Sequence, residues 1–475
     1  MTKKLYALMN DNPLARWAAL FLVALAMFFG YMFVDVMSPL QALVEKQRGW
    51  TPSVFGTYAS AEYILNVCGF LILAGIILDK MGVRFTGILS TSLMLGGAVI
   101  KYIGISDWFQ GTMLCEWLGS WWTAMPGSAK MAALGFMIFG CGCEMAGTTV
   151  SKAIAKWFKG KEMALAMGIE MAIARVGVFV VFSISPVIAE KFGSVSASVG
   201  FCTVLLMIGV INFIVFSLMD KKFDRELVAA GLATDEADPE EEFRVKDLGT
   251  ILGSRSFWVV ALLCVLYYSA IFPFQRYGAN MLQCNLNGMD AHSAANIFRW
   301  FPIGAAAITP FLGSYLDHKG KGATMLIWGS ILLIVCHLVF AFIVPATHSS
   351  FIAYSTIVIL GISFALVPAA LWPSVPKIID EKVLGSAYCL IFWVQNFGLC
   401  FVPKLIGNVL ESSNANNPAV IAAKASQADF IPYNYTVPLI IFAGFGVLAL
   451  LIALYLKRLD SQRGLGLELP NIKPE

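Results

Sequence analysis

Two charges of opposite sign sit where a chain this apolar has no ordinary use for them. The stretch "GCGCEMAGTTVSKAIAKWFKGKEMALAMGIEMAIARVG", residues 140–177, reads as helix, basic turn, helix, with Glu144 deep in the first arm and Arg175 deep in the second. Glu144 lies 13 residues before Trp157, and Arg175 lies 13 residues after Glu162. At about 1.5 Å per residue both stand roughly 20 Å from the "WFKGKE" turn. A carboxylate and a guanidinium at one depth can pair and lock one helix to the next. They can also hold the two ends of a zwitterion, Glu144 taking an ammonium and Arg175 a carboxylate.

Composition makes that depth a membrane depth. The chain has 475 residues, 58% hydrophobic and only 13% charged, with a mean hydropathy of +0.75. An ordinary soluble domain is about 25% charged, so this one reads as an all-α integral membrane protein. A lone charge at the bilayer centre costs at least about 2.5–3.5 kcal/mol, so Glu144 and Arg175 should face a partner or a wet cavity. The net charge of +3 speaks against a nucleic-acid partner. Ten cysteines fall mostly inside apolar runs. Cys115 and Cys284 alone lie in outer loops, which leaves room for one disulfide.

Twelve apolar segments are each long enough to cross roughly 30 Å of hydrocarbon. They run 16–37, 52–79, 85–105, 131–156, 162–189, 196–219, 256–280, 292–316, 323–344, 351–379, 385–410 and 433–456. One long polar break, "DKKFDRELVAAGLATDEADPEEEFRVKD", divides them six and six. The organisation expected is an N-terminal six-helix bundle over 1–219, a cytoplasmic linker over 220–255, and a C-terminal bundle with a cytoplasmic tail over 256–475. With both termini in the cytoplasm, the inner segments carry 22 Lys and Arg and the outer loops 7, as the positive-inside rule requires.

A repeat supports the division. After span two comes "GIILDKMGVR", with Gly75, Asp79, Lys80, Gly82 and Arg84, and after span eight comes "GSYLDHKGKG", with Gly313 and Asp317. A glycine at a span's end allows close helix approach, and the Asp can cap or pair across the loop. Two copies at matching positions resemble the loop signature of the major facilitator superfamily. That resemblance implies 12 transmembrane helices in two pseudo-symmetric six-helix bundles around a central cavity.

Other polar groups converge on the depth of Glu144 and Arg175. Span seven places Tyr267 and Tyr268 there, span eleven Gln395 and Asn396, and span two Asn66. Trp372, in "ALWPSVP", should sit lower, near the cytoplasmic mouth. For each of them an interhelical hydrogen bond or a packed aromatic is the competing reading. Nearer the outer face, Asp35 and Glu62 in the first half stand opposite Arg276, Arg299 and Lys404 in the second. They read as an outer gate that makes and breaks, or as interfacial charges snorkelling to water. Glu170 lies five residues from Arg175, on a different face, either as a protonatable group or bonded to a neighbouring helix. The segment from 106 to 130 carries five aromatic residues and reads as an interfacial hairpin or lid.

"WFKGKE", "LYYSAIFPF", "ALWPSVP", "LGSAY" and "QNFGL" are similar, in order and spacing, to the branch of that superfamily formed by lysosomal dipeptide uniporters. The resemblance implies short peptides with free termini as substrate. It places Glu144 near the peptide amine and Arg175 near its carboxylate, with Tyr267, Tyr268, Trp372, Gln395 and Asn396 around them. Glu62, Glu170 and Arg276 depart from the branch, and the extra acids raise proton coupling beside uniport. Short termini and small loops point to a bacterial inner membrane, and a monomer is expected. A carrier of a carboxylate-bearing metabolite is the alternative, with a non-transporting receptor behind it. His292, His318, His337 and His348 are dispersed, and the sequence holds no nucleophile motif, metal-ligand cluster or phosphate loop. No cofactor is expected, and an enzyme is the class least supported.

Overall fold

In hydrocarbon every backbone amide must be satisfied within the chain, so apolar segments of this length have to be helices. The computed structural model describes residues 8–159, 161–230, 248–379 and 384–470, and its ordered elements are helical throughout. Among the described residues ten helices are long and apolar enough to cross a membrane. One of these, Pro52–Ile105, is two spans, because Gly82 at φ 74° and ψ 172° breaks the helix between them. Span eight comes in two pieces, Ala291–Phe298 and Trp300–Lys319. All twelve expected segments are therefore helical and form the two six-helix bundles. Span one is Pro13–Asp35, four Gly127–Trp157, five Met163–Phe192, six Val195–Ala229 and seven Arg255–Asn285. Ten is Ser350–Ile378, eleven Leu384–Ser413 and twelve Thr436–Arg463.

The ends are set by familiar caps. The Thr51 hydroxyl accepts from the Val54 amide with Pro52 in the first turn, and Ser254 and Ser349 do the same for spans seven and ten. Gly193 and Gly464 end spans five and twelve in the left-handed region, where a side chain would be strained. Small residues let spans three and four touch backbone to backbone. A Cβ on Gly97 would lie 2.4 Å from the Gly135 carbonyl, and one on Gly142 would lie 2.6 Å from that of Ser90. Without a hydrophobic drive between helices, such close approach is what holds a bundle together in lipid.

Two departures from the sequence reading follow. Span six does not stop at 219 but runs to Ala229. Lys156 and the Trp157 indole hold Asp220 at 2.8 and 2.9 Å, and Phe223 packs on Trp157 with ring centroids 4.8 Å apart, so the polar run stays helical. Most of the remaining linker lies outside the described residues. The second departure concerns Gly75 and Gly313, expected to sit under a neighbouring helix; a Cβ at either would meet nothing within 4 Å.

We call the end bearing the Gly75–Arg84 loop the signature face and the other the hairpin face. On the signature face the first half carries ion pairs of its own. Asp79 takes Lys152 of span four at 2.6 Å, and Arg84 takes Asp224 of span six at 2.5 Å. The hairpin face is where the halves meet. There a Cβ on Gly56 would lie 2.4 Å from the Pro403 carbonyl, and one on Gly407 would lie 2.3 Å from that of Pro52. The Tyr277 hydroxyl donates to Pro403 at 2.9 Å, Thr51 donates to Glu411 at 2.8 Å, and Ser53 donates to Asn408 at 2.5 Å. The molecule is thus closed at the hairpin face.

A Cβ on Gly87 would lie 1.7 Å from the Phe213 ring, and forcing volume into such a contact costs about 1–3 kcal/mol. Gly87→Leu should therefore lower the melting temperature of the purified protein, whereas Gly75→Leu should leave it unchanged. Equal melting temperatures would mean that spans three and six do not pack this way.

Candidate functional site

Glu144 on span four and Arg175 on span five are both half-buried. Among the described residues neither has an oppositely charged side chain within 4.0 Å. The helix-locking ion pair is therefore absent, and the two charges stand apart. Arg175 sits over an aromatic ring instead, its guanidinium carbon 4.6 Å from the centre of the Phe364 ring of span ten. Tyr31 of span one lies within electrostatic reach of Glu144, Glu170 and Arg175 together. Glu170 thus shares a neighbour with Arg175 despite the turn of helix between them.

The second half faces these charges with an aromatic wall. Tyr268 lies within electrostatic reach of Arg175. The Trp372 indole donates to the Tyr268 hydroxyl at 3.3 Å and stacks on Phe392 at 4.7 Å. Tyr388 donates to the Trp372 carbonyl at 3.1 Å. Trp372 thus reaches Tyr268 through its side chain. Phe272 stacks on Tyr268 at 5.4 Å, and Phe301 stacks on Phe364 at 5.5 Å, so the wall is built on rings that brace one another.

The other expected members are held elsewhere. Tyr267 is fully buried, its hydroxyl donating to the Ser363 carbonyl at 2.5 Å inside the second bundle. Adjacent residues on a helix point about 100° apart, so only one tyrosine of the pair can face Arg175. Gln395 is buried and accepts from the Cys264 thiol at 3.3 Å. Asn396 donates to the Phe392 carbonyl of its own helix at 2.9 Å. Asn66 is buried at the start of a π-turn, Asn66–Phe70, that contains Gly69 at φ 103°. Beside it the Trp393 indole crosses from the second half to the Val67 carbonyl at 2.9 Å.

Nearer the hairpin face, charge bridges the halves. Arg276 sits 3.1 Å from the Asp35 carboxylate and also bonds Glu62 and the Val34 carbonyl. All three side chains are buried, so they are not snorkelling. Gln275 and Ser38 add donors to Asp35 at 2.5 and 3.0 Å. A buried ion pair needs such extra bonds to offset its desolvation. Arg299 and Lys404 do not join this cluster. Arg299 donates to the Ser183 hydroxyl at 3.1 Å and stacks over Phe179. Lys404 is exposed and reaches the Trp122 ring at 5.9 Å.

Lys101, inside the segment 85–105 expected as span three, is wholly buried. Its ammonium stands 4.2 Å from the Phe33 and Phe136 rings and 5.3 Å from Tyr58. The loop beyond it does form a hairpin, with a short helix, Met113–Ser120, whose Trp117 is exposed. Arg48 and Ser194 anchor its start through Asp107 at 2.6 and 2.8 Å. The Ser194 bond, and then Arg48, hold that carboxyl below its usual range. Cys115 and Cys284 are both free thiols, so the disulfide is not formed.

Residues 20–403 match the Major Facilitator Superfamily. The chain is 27% identical over 423 residues to the lysosomal dipeptide transporter MFSD1 of Mus musculus, an alignment covering 86% of this chain and 83% of that one. It is 25% identical over 421 residues to the Homo sapiens protein of that name, covering 86% and 82%. The crystal structure of the nucleoside transporter NupG aligns with a TM-score of 0.65 at 13% identity, covering 93% of this chain and 99% of that one. At that identity the likeness speaks for the fold alone. With twelve spans in two bundles and a family match over most of its length, the chain is a transporter rather than an enzyme: it belongs to the major facilitator superfamily, on the branch of the MFSD1 transporters.

Proposed function

We propose that this transporter carries dipeptides or other short peptides with free termini, Glu144 binding the amine and Arg175 the carboxylate. The observation that carries this reading is that both charges lie within the spans without an opposite charge at hand. An anion and a cation left unmatched in hydrocarbon are each costly, and a zwitterion can match both. Tyr268 and Trp372 would bound the pocket from the second half, with Tyr31 and Phe364 as members that the sequence reading did not include. The similarity to MFSD1, a dipeptide transporter by name, points the same way.

Alternating access follows from the cross-half contacts. We assign the signature face to the cytoplasm, as the Lys and Arg bias favours, so the structure corresponds to a state closed to the outside. Separating the halves at the hairpin face breaks the Arg276 bridges to Asp35 and Glu62, while the cavity closes from the signature side. The halves, 1–219 and 256–475, would rock as units of a monomer, with a bacterial inner membrane as the proposed location. Glu144 and Glu170, without a basic neighbour within 4.0 Å among the described residues, are the groups to carry a proton if a pH gradient drives uptake. A carrier for carboxylates without an amine would need Arg175 but not Glu144.

Leaving one member of a buried charge pair unmatched costs about 2–5 kcal/mol, and about 1.4 kcal/mol is tenfold in affinity. Glu144→Gln and Arg175→Ala should therefore each lower dipeptide uptake into liposomes by roughly 30-fold or more while the protein stays folded. Normal uptake by either variant would remove that residue from the role. A cysteine pair at Ser53→Cys and Asn408→Cys, whose native side chains touch at 2.5 Å, should cross-link and stop transport, with reductant restoring it. Undiminished transport by the cross-linked protein would show that this face need not open.

A further inference from the structure

Arg175, Arg276 and Arg299 are treated differently by the fold. Arg276 is neutralised by two carboxylates. Arg175 and Arg299 have no acid within 4.0 Å among the described residues, and both rest on aromatic faces. Arg299 sits at the break between the two pieces of span eight. It crosses to span five, where its guanidinium carbon lies 4.9 Å from the Phe179 ring and Nη1 lies 3.1 Å from the Ser183 hydroxyl. Its Nε is buried with no hydrogen-bond partner.

Arg175, Phe179 and Ser183 are spaced four residues apart, so they lie along one face of span five. At about 1.5 Å per residue, Ser183 stands roughly 12 Å above Arg175, toward the hairpin face. Arg299 is therefore a second uncompensated guanidinium on the same line, one to two turns above the first. Its contacts to span five are across the halves, so they are lost when the hairpin face opens. A hydroxyl and an aromatic face hold the cation far less firmly than carboxylates would. Once freed, it presents its full charge to whatever enters.

We propose that Arg299 is a carboxylate-capture site: in the hairpin-open state it takes the substrate carboxylate first and passes it down the span-five face to Arg175. The proposal rests on the reading of Arg175 as the carboxylate anchor. It also separates the two basic positions by state, because Arg299 is engaged with span five when the hairpin face is closed.

The test compares one dipeptide's Kd in two conformational backgrounds. The Ser53→Cys and Asn408→Cys cross-link holds the hairpin face closed. Gly407→Trp wedges it open, since even a Cβ there would lie 2.3 Å from the Pro52 carbonyl. Arg299→Gln should weaken binding about tenfold in the wedged protein and leave the cross-linked protein unchanged, with Arg299→Lys recovering part of the loss. Arg175→Lys should weaken binding in both. Equal effects of Arg299→Gln in the two backgrounds, or none in either, would overturn the capture site.

The same comparison in nanodiscs of neutral lipid and of lipid containing phosphatidylglycerol separates the two sources of an anion. An Arg299→Gln effect confined to the anionic discs would assign Arg299 to a lipid phosphate and also overturn the proposal. If the wild type binds only carboxylates that lack an amine, the measurement is made with that carboxylate. In that case the peptide reading fails and the capture site is still decided.

Discussion

Everything in this molecule turns on the cost of placing charge in hydrocarbon. Most residues in the spans avoid that cost by being apolar. The few that do not are handled in three ways. Asp35 and Glu62 both pair with Arg276 across the two halves. Lys101 is shut into a cage of aromatic rings. Among the described residues Glu144 and Arg175 have no opposite charge within 4.0 Å and remain unmatched. The first two arrangements are complete within the protein, whereas on the proposed reading the third would be completed by a ligand with two opposite ends.

This division would let the proposed gate and the proposed binding site be separate devices. The Arg276 cluster joins spans one, two and seven, so its formation is tied to how the halves meet at the hairpin face. Gly56 and Gly407 permit that meeting by letting backbone approach backbone, and the signature-face ion pairs between Asp79 and Lys152 and between Arg84 and Asp224 brace the first half on its own. A ligand between Glu144, Arg175 and the Tyr268–Trp372 wall would touch both halves. It could therefore bias their relative position by differential contact, as any ligand-driven change requires.

Much of this was legible in the sequence because charge and hydropathy are sparse, strong signals here. The twelve segments, the unusual depth of Glu144 and Arg175, and the joining of Asp35 and Glu62 to Arg276 all came from placing rare residues on a helical ruler. What escaped had a different physical character. Tyr31 and Phe364 are aromatics among many, and nothing in their spacing marks them off from core. Tyr267 and Tyr268 differ by one helical step, so which of them faces Arg175 depends on the rotation of span seven. Nothing in the sequence around Lys101 marks the three rings that enclose its ammonium. Arg299 was grouped with Arg276 by depth, although span eight breaks beside it and aims it at span five.

The most direct test of the two-ended site is a thermal-shift series on the purified protein. It compares a dipeptide with its N-acetylated form, its C-amidated form and a plain dicarboxylate, because stabilisation follows occupancy of the native state. The account predicts a rise in melting temperature with the free dipeptide that is lost when either end is blocked. A shift with the dicarboxylate alone, or an undiminished shift with the acetylated dipeptide, would contradict it.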